Sequence, residues 1–223
     1  AASNRFSVIS GGPGTGKTTT VVKLLSLLLS LEPDMRILLA APTGKAAMRL
    51  VDSIQAQISH IFDGNPVGGN HVKDDLIRNL MPTEASTIHR LLGYGNQKFR
   101  HSHDHPLQVD CIVVDEASMI DLTLMHHLLD ALPLHTRVIL LGDRDQLASV
   151  AAGNVLGDIT GHGLSVGYSP SQVDFIDSIM GSAETIEQVE HAEPVEQPIA
   201  NAIALLKHSY RFDADSGIGQ LSQ

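Results

Sequence analysis

The sequence predicts an α/β fold, a parallel sheet covered by helices, and three observations carry that expectation. Short runs of β-branched and aliphatic residues alternate with longer stretches of helical periodicity, the pattern of repeated strand–helix units. A glycine-rich segment, Gly11 to Thr18, lies between the first strand-like run and the first helix-like one. A third apolar run ends abruptly in two adjacent carboxylates, Asp115 and Glu116.

The spacing predicts strands over residues 6–10, 36–41, 109–114 and 137–142. Helices are expected over 18–31, over 44–59 and over 121–132. The second has Ala47, Leu50, Val51, Ile54 and Ile58 on one face, and the third has Leu122, Met125, Leu129 and Leu132 inward. Two stretches break this rhythm. Residues 93–108 lack apolar periodicity and carry Lys98, Arg100, His101, His103 and His105, which reads as a projecting hairpin or small insertion. Residues 181–198 are rich in glutamate, lack Lys and Arg and contain Pro194 and Pro198, the composition of a mobile loop. Residues 199–208 resume a helical pattern and lead into Ser209-Tyr210-Arg211-Phe212.

A chain of 223 residues accommodates one substantial α/β domain, or one domain with a fragment of a second. It opens without methionine directly ahead of a strand and stops at Gln223 in a helix-like start, which reads as an excised fragment. The net charge of −10 argues against coating nucleic acid by bulk electrostatics. A local groove is still compatible with that charge, because screening confines what a phosphate feels to nearby groups. The absence of tryptophan and a 4% aromatic share leave few stacking platforms. No apolar run reaches bilayer length, and the richest, residues 21–31, is broken by Lys23, Ser26 and Ser30. No signal peptide opens the chain, and the lone Cys111 forbids an internal disulfide, which fits a reducing cytoplasm.

The segment from Gly11 to Thr18 fills the G-x-x-x-x-G-K-[ST] pattern at every position, after a strand and before a helix. Glycines let successive N–H groups converge into an anion nest, and the helix N-terminus adds partial positive charge. Nucleotide contacts are therefore expected from Gly12, Pro13, Gly14, Thr15, Gly16, Lys17, Thr18 and Thr19. Lys17 reaches the β- and γ-phosphates of ATP, and the Thr18 hydroxyl ligates Mg2+. The bland alternative is a chance glycine turn, which the flanking strand and helix disfavour.

Hydrolysis also needs a metal-side carboxylate and a group to activate water. Asp115 and Glu116 end an apolar strand where open parallel sheets place their ligands, so Asp115 is expected on Mg2+ and Glu116 as general base. A kinase needs no such base for water. Two solvated acids at a strand end are the alternative.

Three further segments point from ATPase to motor. Ala40 to Ala47 places Pro42, Thr43 and Lys45 at a strand-to-helix junction, which presents N–H groups and a cation to a phosphate backbone. Thr87-Ile88-His89-Arg90 offers a hydroxyl, an imidazole and a guanidinium in sequence. Gln146, after the strand over 137–142, can contact a γ-phosphate.

APTGKAA, TIHRLL, VVDEASMID, LGDRDQLASV and SYRF, in this order, resemble the motifs of superfamily-one helicases, and in detail those of the RecD family. The resemblance covers nearly the whole chain and is weakest over 62–82, 93–106 and 161–198. It implies a RecA-like P-loop NTPase motor domain over 1–160, with the insertion at 93–108 standing as a 1B-like hairpin subdomain. Residues 161–198 would be a variable, partly mobile connection, and 199–223 a helix, an arginine-finger motif and the start of an incomplete second motor domain. By resemblance, Lys17, Glu116, Gln146 and Arg211 are the catalytic groups, and Pro42, Thr43, Lys45, Thr87 and His89 contact single-stranded DNA. The implied activity is ATP-driven 5′→3′ translocation within the RecBCD complex (exodeoxyribonuclease V), beside RecB- and RecC-type partners. No nuclease signature occurs, so the resemblance assigns nuclease chemistry to a partner subunit. The domain that the family places before the phosphate loop, and the motifs that follow Arg211, do not occur in this sequence.

Each assignment has a plainer competitor. Lys45 can be an ordinary first-turn lysine, His89 a core histidine, and Arg211 a partner of Asp213 or Asp215. The alternating His101, His103 and His105 would align on a strand as metal ligands, though a flexible insertion without a cysteine partner accounts for them better. Cys111 reads as a small buried residue. At the level of function, the competitors are a free-standing RecD-like or relaxase-type helicase, an ATP-binding docking or regulatory subunit, and a nucleotide kinase. The Asp115-Glu116 pair disfavours the kinase.

Overall fold

The computed structural model describes residues 4–64, 71–146, 155–161, 168–180 and 199–209. Its strands are β1 (Phe6–Gly11), β2 (Ile37–Ala41), β3 (Ala85–Thr87), β4 (Cys111–Val114), β5 (Arg137–Gly142) and β6 (Ile203–Leu206). All pair in parallel, in the order β3-β2-β4-β5-β1-β6. The helices are α1 (Lys17–Leu31), α2 (Gly44–Gly64), α3 (His71–Leu80), α4 (Ile88–Leu91), α5 (Leu122–Asp130), α6 (Val155–Thr160) and α7 (Pro170–Met180). Among the described residues no helix is long and apolar enough to cross a membrane.

Strand alternation divides the core between the two faces of the sheet. Val8, Ile112, Val114, Val138 and Leu140 point to one side, where they meet Ile88, Leu92, Leu124, Leu128 and Leu156. Ile9, Cys111, Val113, Ile139 and Leu141 point to the other, against Val22, Leu25 and Leu29 of α1, Leu50 and Ile54 of α2, and Ile77 of α3. Helices thus cover both faces, which is why the central strands are continuous apolar runs rather than alternating ones. Burial pushes the Cys111 thiol up to about 12, so it stays a neutral core residue.

Three departures from the sequence reading have physical causes. Residues 199–208 are a 3-10 turn (Ala200–Ala202) and then strand β6, not a helix. The spacing of Ile199, Ile203 and Leu206 suits a helix, but a short apolar run is ambiguous by periodicity. The open edge of β1 decides it, because Val8 to Gly11 pair in register with Ile203 to Leu206. This segment therefore completes the sheet that carries the phosphate loop.

The second departure is the inward face of α5, which is Leu124, Met125 and Leu128, whereas Leu122 is 65% and Leu129 43% exposed. The segment is apolar nearly all round, so two stripes compete. Asp121 sets the phase by accepting the Leu124 N–H on its side chain at 2.8 Å.

The third is residues 93–108, which hold two tight turns, each closed by one bridge: Gly95 with Lys98 and Ser102 with His105. The single hairpin expected is thus two short ones, mostly exposed and tied to the body of the domain by backbone hydrogen bonds. Arg100 and His101 both donate to the Leu92 carbonyl, Leu107 donates to that of Ala131, and His103 N–H meets Asp130 at 3.1 Å.

Strand β3 and helices α3, α4, α6 and α7 were not expected from the sequence; α7 falls within the connection read over 161–198. The loop read over 181–198 lies outside the described residues.

Candidate nucleotide site

The C-terminal ends of β1, β4, β5 and β2 meet at one edge of the sheet, the edge where parallel α/β sheets bind ligands. At the end of β1 the chain turns through Gly14 and Gly16, both left-handed at φ 78° and 88°. These values suit glycine and would strain a side chain. The Thr15 hydroxyl donates to the Gly12 carbonyl at 2.9 Å and braces the loop from within. Gly11 must lack a side chain, because a Cβ there would lie 2.6 Å from Thr15 Oγ1 and 2.7 Å from the Leu206 carbonyl oxygen. Lys17 opens α1, and its Nζ donates to the carbonyls of Gly11 and Gly12, the latter at 3.0 Å.

Thr18 is half-buried in the first turn of α1. The hydroxyl of Thr19 points elsewhere and donates to Gln57 of α2 at 2.8 Å. Any nucleotide contact from Thr19 therefore comes from its backbone rather than its side chain.

Asp115 continues β4 by donating its N–H to the Ala40 carbonyl at 2.9 Å. Burial raises its carboxyl above the ordinary range, the Glu116 charge adds to that rise, and an N–H bond from Glu116 and the Lys17 charge oppose it. A half-buried carboxylate in electrostatic reach of the Lys17 ammonium has the donor chemistry that a magnesium ion takes. Glu116 has left-handed backbone angles, φ 52° and ψ 40°. A non-glycine residue in this region carries about 1 kcal/mol or more of strain. Here it turns the chain from β4 straight into a 3-10 turn, Ala117–Met119.

β5 runs between β1 and β4, so the turn that follows it lies between the phosphate loop and the acid pair. Arg144 N–H donates to Ser10 Oγ at 3.0 Å, and Gln146 N–H to the Asp143 carbonyl at 3.3 Å. Gln146 is exposed, and its Oε1 accepts the Ser118 hydroxyl at 3.1 Å. Sequence reasoning gave Ser10 and Ser118 no role. The available signal was a serine near the end of β1, and one two residues after the acid pair.

β2 and β3 pair with Ala41 beside Thr87, so the two segments read as DNA contacts emerge side by side. Pro42 is half-buried, and Thr43 and Lys45 are exposed. Thr43 Oγ1 accepts the Ala46 N–H and Thr87 Oγ1 that of Arg90, both at 3.2 Å. These hydroxyls cap α2 and α4, so their side-chain oxygens already serve the helices. His89 is exposed rather than a core histidine. It meets Tyr94 edge-on at 5.4 Å, Tyr94 lies 4.9 Å from Phe99, and Phe99 lies 4.5 Å from His127. The fold thus gathers a local aromatic surface that overall composition conceals.

His101 Nδ1 meets the His105 carbonyl at 3.1 Å. Among the described residues no group of three His, Cys, Asp or Glu is placed to hold a metal. Arg211 lies outside the described residues. Ser209 does not, and its hydroxyl donates to the Pro13 carbonyl of the phosphate loop at 3.2 Å.

The raised Asp115 titration makes a prediction. Between the unfolded and folded pKa the native chain binds more protons than the unfolded chain, so stability falls as pH rises through that interval. Asp115→Asn is never charged and escapes this loss. Its melting temperature is expected above the parent's at pH 7, the gap closing toward about pH 4. The same substitution should remove the magnesium-dependent part of nucleotide affinity. Melting curves across pH check it, and a gap independent of pH would contradict the electrostatic origin.

Residues 1–152 match the AAA domain family. The chain is 44% identical over 226 residues to the RecBCD enzyme subunit RecD of Haemophilus influenzae, covering 100% of this chain and 33% of that protein. To the subunit of the same name from Mycolicibacterium smegmatis it is 42% identical, covering 88% of this chain and 39% of that one. To the ATP-dependent RecD2 DNA helicase of Deinococcus radiodurans it is 43% identical over 152 residues, 68% of this chain and 17% of the relative. The chain thus spans about a third of the curated RecD subunits it matches.

Proposed function

We propose, since this chain belongs to the AAA domain family and is similar along its whole length to RecD subunits, that it is the ATP-hydrolysing part of a DNA helicase motor. In the fuller reading it serves as an ATP-dependent helicase subunit of a RecBCD-type repair and recombination complex, with RecB- and RecC-type partners. The observation that carries the reading is the meeting, at one sheet edge, of the Lys17 loop and the Asp115-Glu116 pair.

The loop N–H groups and Lys17 bind the ATP phosphates, with the ammonium as a point charge where negative charge gathers. Thr18 and Asp115 would hold magnesium, which when bound neutralises charge on the phosphate oxygens. Glu116 takes the proton from the attacking water, and Gln146 meets the γ-phosphate. Pro42, Thr43, Lys45, Thr87 and His89 form the single-stranded DNA side. Thr43 and Thr87 contribute there through the helix N-termini they cap, and Lys45 and His89 through exposed side chains.

Titration of a fluorescent ATP analogue against the chain and its Lys17→Ala variant tests the phosphate site. Affinity should fall at least tenfold, roughly the weight of one charge-assisted contact; equal binding would sink the assignment. A second reading is a free-standing RecD-like helicase, favoured by the 43% identity to a protein named simply an ATP-dependent DNA helicase. Co-purification of the full-length protein with or without RecB- and RecC-type subunits separates the two.

A further inference from the structure

Ser118 follows the acid pair by two residues and is only 3% exposed. Yet its hydroxyl meets a side chain on a different strand's end, that of the exposed Gln146. We propose that Ser118 is a positioning residue, whose hydroxyl holds the Gln146 amide with its NH2 group turned toward the γ-phosphate. The inference rests on the reading above, in which Gln146 meets that phosphate.

The chemistry of the amide makes the orientation matter. Glutamine has an acceptor end and a donor end of nearly equal shape, whereas a phosphate oxygen is an acceptor only. A free amide presents either end, and half of its orientations set oxygen against oxygen. A hydroxyl donating to Oε1 at 3.1 Å occupies the acceptor end and leaves both N–H donors available.

Such a device works only if the hydroxyl is itself fixed, and two features fix it. The left-handed turn at Glu116 drops the chain into the Ala117–Met119 3-10 turn, closed by Met119 N–H on the Glu116 carbonyl at 3.0 Å. That turn packs against the end of β5, where a Cβ on Gly142 would lie 3.2 Å from Ser118 N and 2.5 Å from Leu156 Cδ2. On the other side, the Gln146 backbone is held by Asp143, and that turn by the Arg144 bond to Ser10. Ser118 therefore joins the turn that presents the water-activating acid to the turn that presents the γ-phosphate contact. A shift in either turn is felt by the other through one hydrogen bond.

The test is single-turnover ATP hydrolysis, beside ATP affinity and thermal melting, in the full-length protein with saturating single-stranded DNA. Ser118→Ala is expected to slow hydrolysis about tenfold while leaving ATP affinity within about twofold, a loss of orientation rather than binding. Ser118→Cys is only slightly larger and offers only a weak donor, so it should be similarly slow at a nearly unchanged melting temperature. It also carries the test if the alanine variant folds poorly. In a Gln146→Ala background, Ser118→Ala should slow nothing further, since both act through one contact. Normal hydrolysis by both Ser118 variants, or an equal loss with and without Gln146, would overturn the proposal. Lys17→Ala separates its failure from that of the underlying reading: hydrolysis by Lys17→Ala at the parent's rate would mean that the phosphate site itself is misread.

Discussion

Glu116→Gln in the full-length protein should retain ATP binding within about twofold and lose hydrolysis by about 10²–10⁴-fold, the usual weight of a general base. Glutamine keeps the size of glutamate and one acceptor oxygen while removing the charge and the proton acceptor. The Lys17 loop and the Asp115 carboxyl do not depend on that proton, so ground-state binding should survive. The left-handed backbone at Glu116 sharpens the expectation. Glutamine bears that conformation about as well as glutamate does, so the local turn persists and folding is not the confounder. ATP affinity measured beside single-turnover hydrolysis and translocation decides it. Near-parental hydrolysis would mean that water is activated by another group.

What the sequence made legible followed from how local each signal is. The loop Gly11 to Thr18 and the Asp115-Glu116 pair are contiguous strings whose chemistry needs those residues in that order, and their strands were found from apolar runs alone. β6 was read as a helix because its identity depends on an unfilled edge of β1, a fact that no window of neighbouring residues contains. The face of α5 was misread because leucines surround the helix, and the Asp121 cap rather than periodicity sets its phase. Ser118 went unnoticed for a related reason. It is a small polar residue whose meaning appears only when the ends of β4 and β5 are brought together. Thr43 and Thr87 show the opposite case, in which residues picked out for a ligand turn out to cap helices as well.

The largest effect is expected at Arg211. Ser209 donates to the Pro13 carbonyl, which brings the end of the described chain against the phosphate loop. Arg211 is two residues further on. The Ser209-Tyr210-Arg211-Phe212 segment that carries it resembles the arginine-finger motif of superfamily-one helicases. An arginine that stabilises charge on a transferring phosphoryl group contributes about 10³–10⁵ in rate. Arg211→Ala in the full-length protein should therefore cut ATP hydrolysis by that order while ATP affinity changes little, because the charge it meets grows only in the transition state. Arg211→Lys should recover little, since a point charge does not reproduce the planar fork. The competing role, an exposed ion pair with Asp213 or Asp215, gives another outcome: a stability change within about 1 kcal/mol and unaltered turnover. Single-turnover hydrolysis and melting of both variants distinguish the two, and normal hydrolysis by Arg211→Ala would remove this residue from the mechanism.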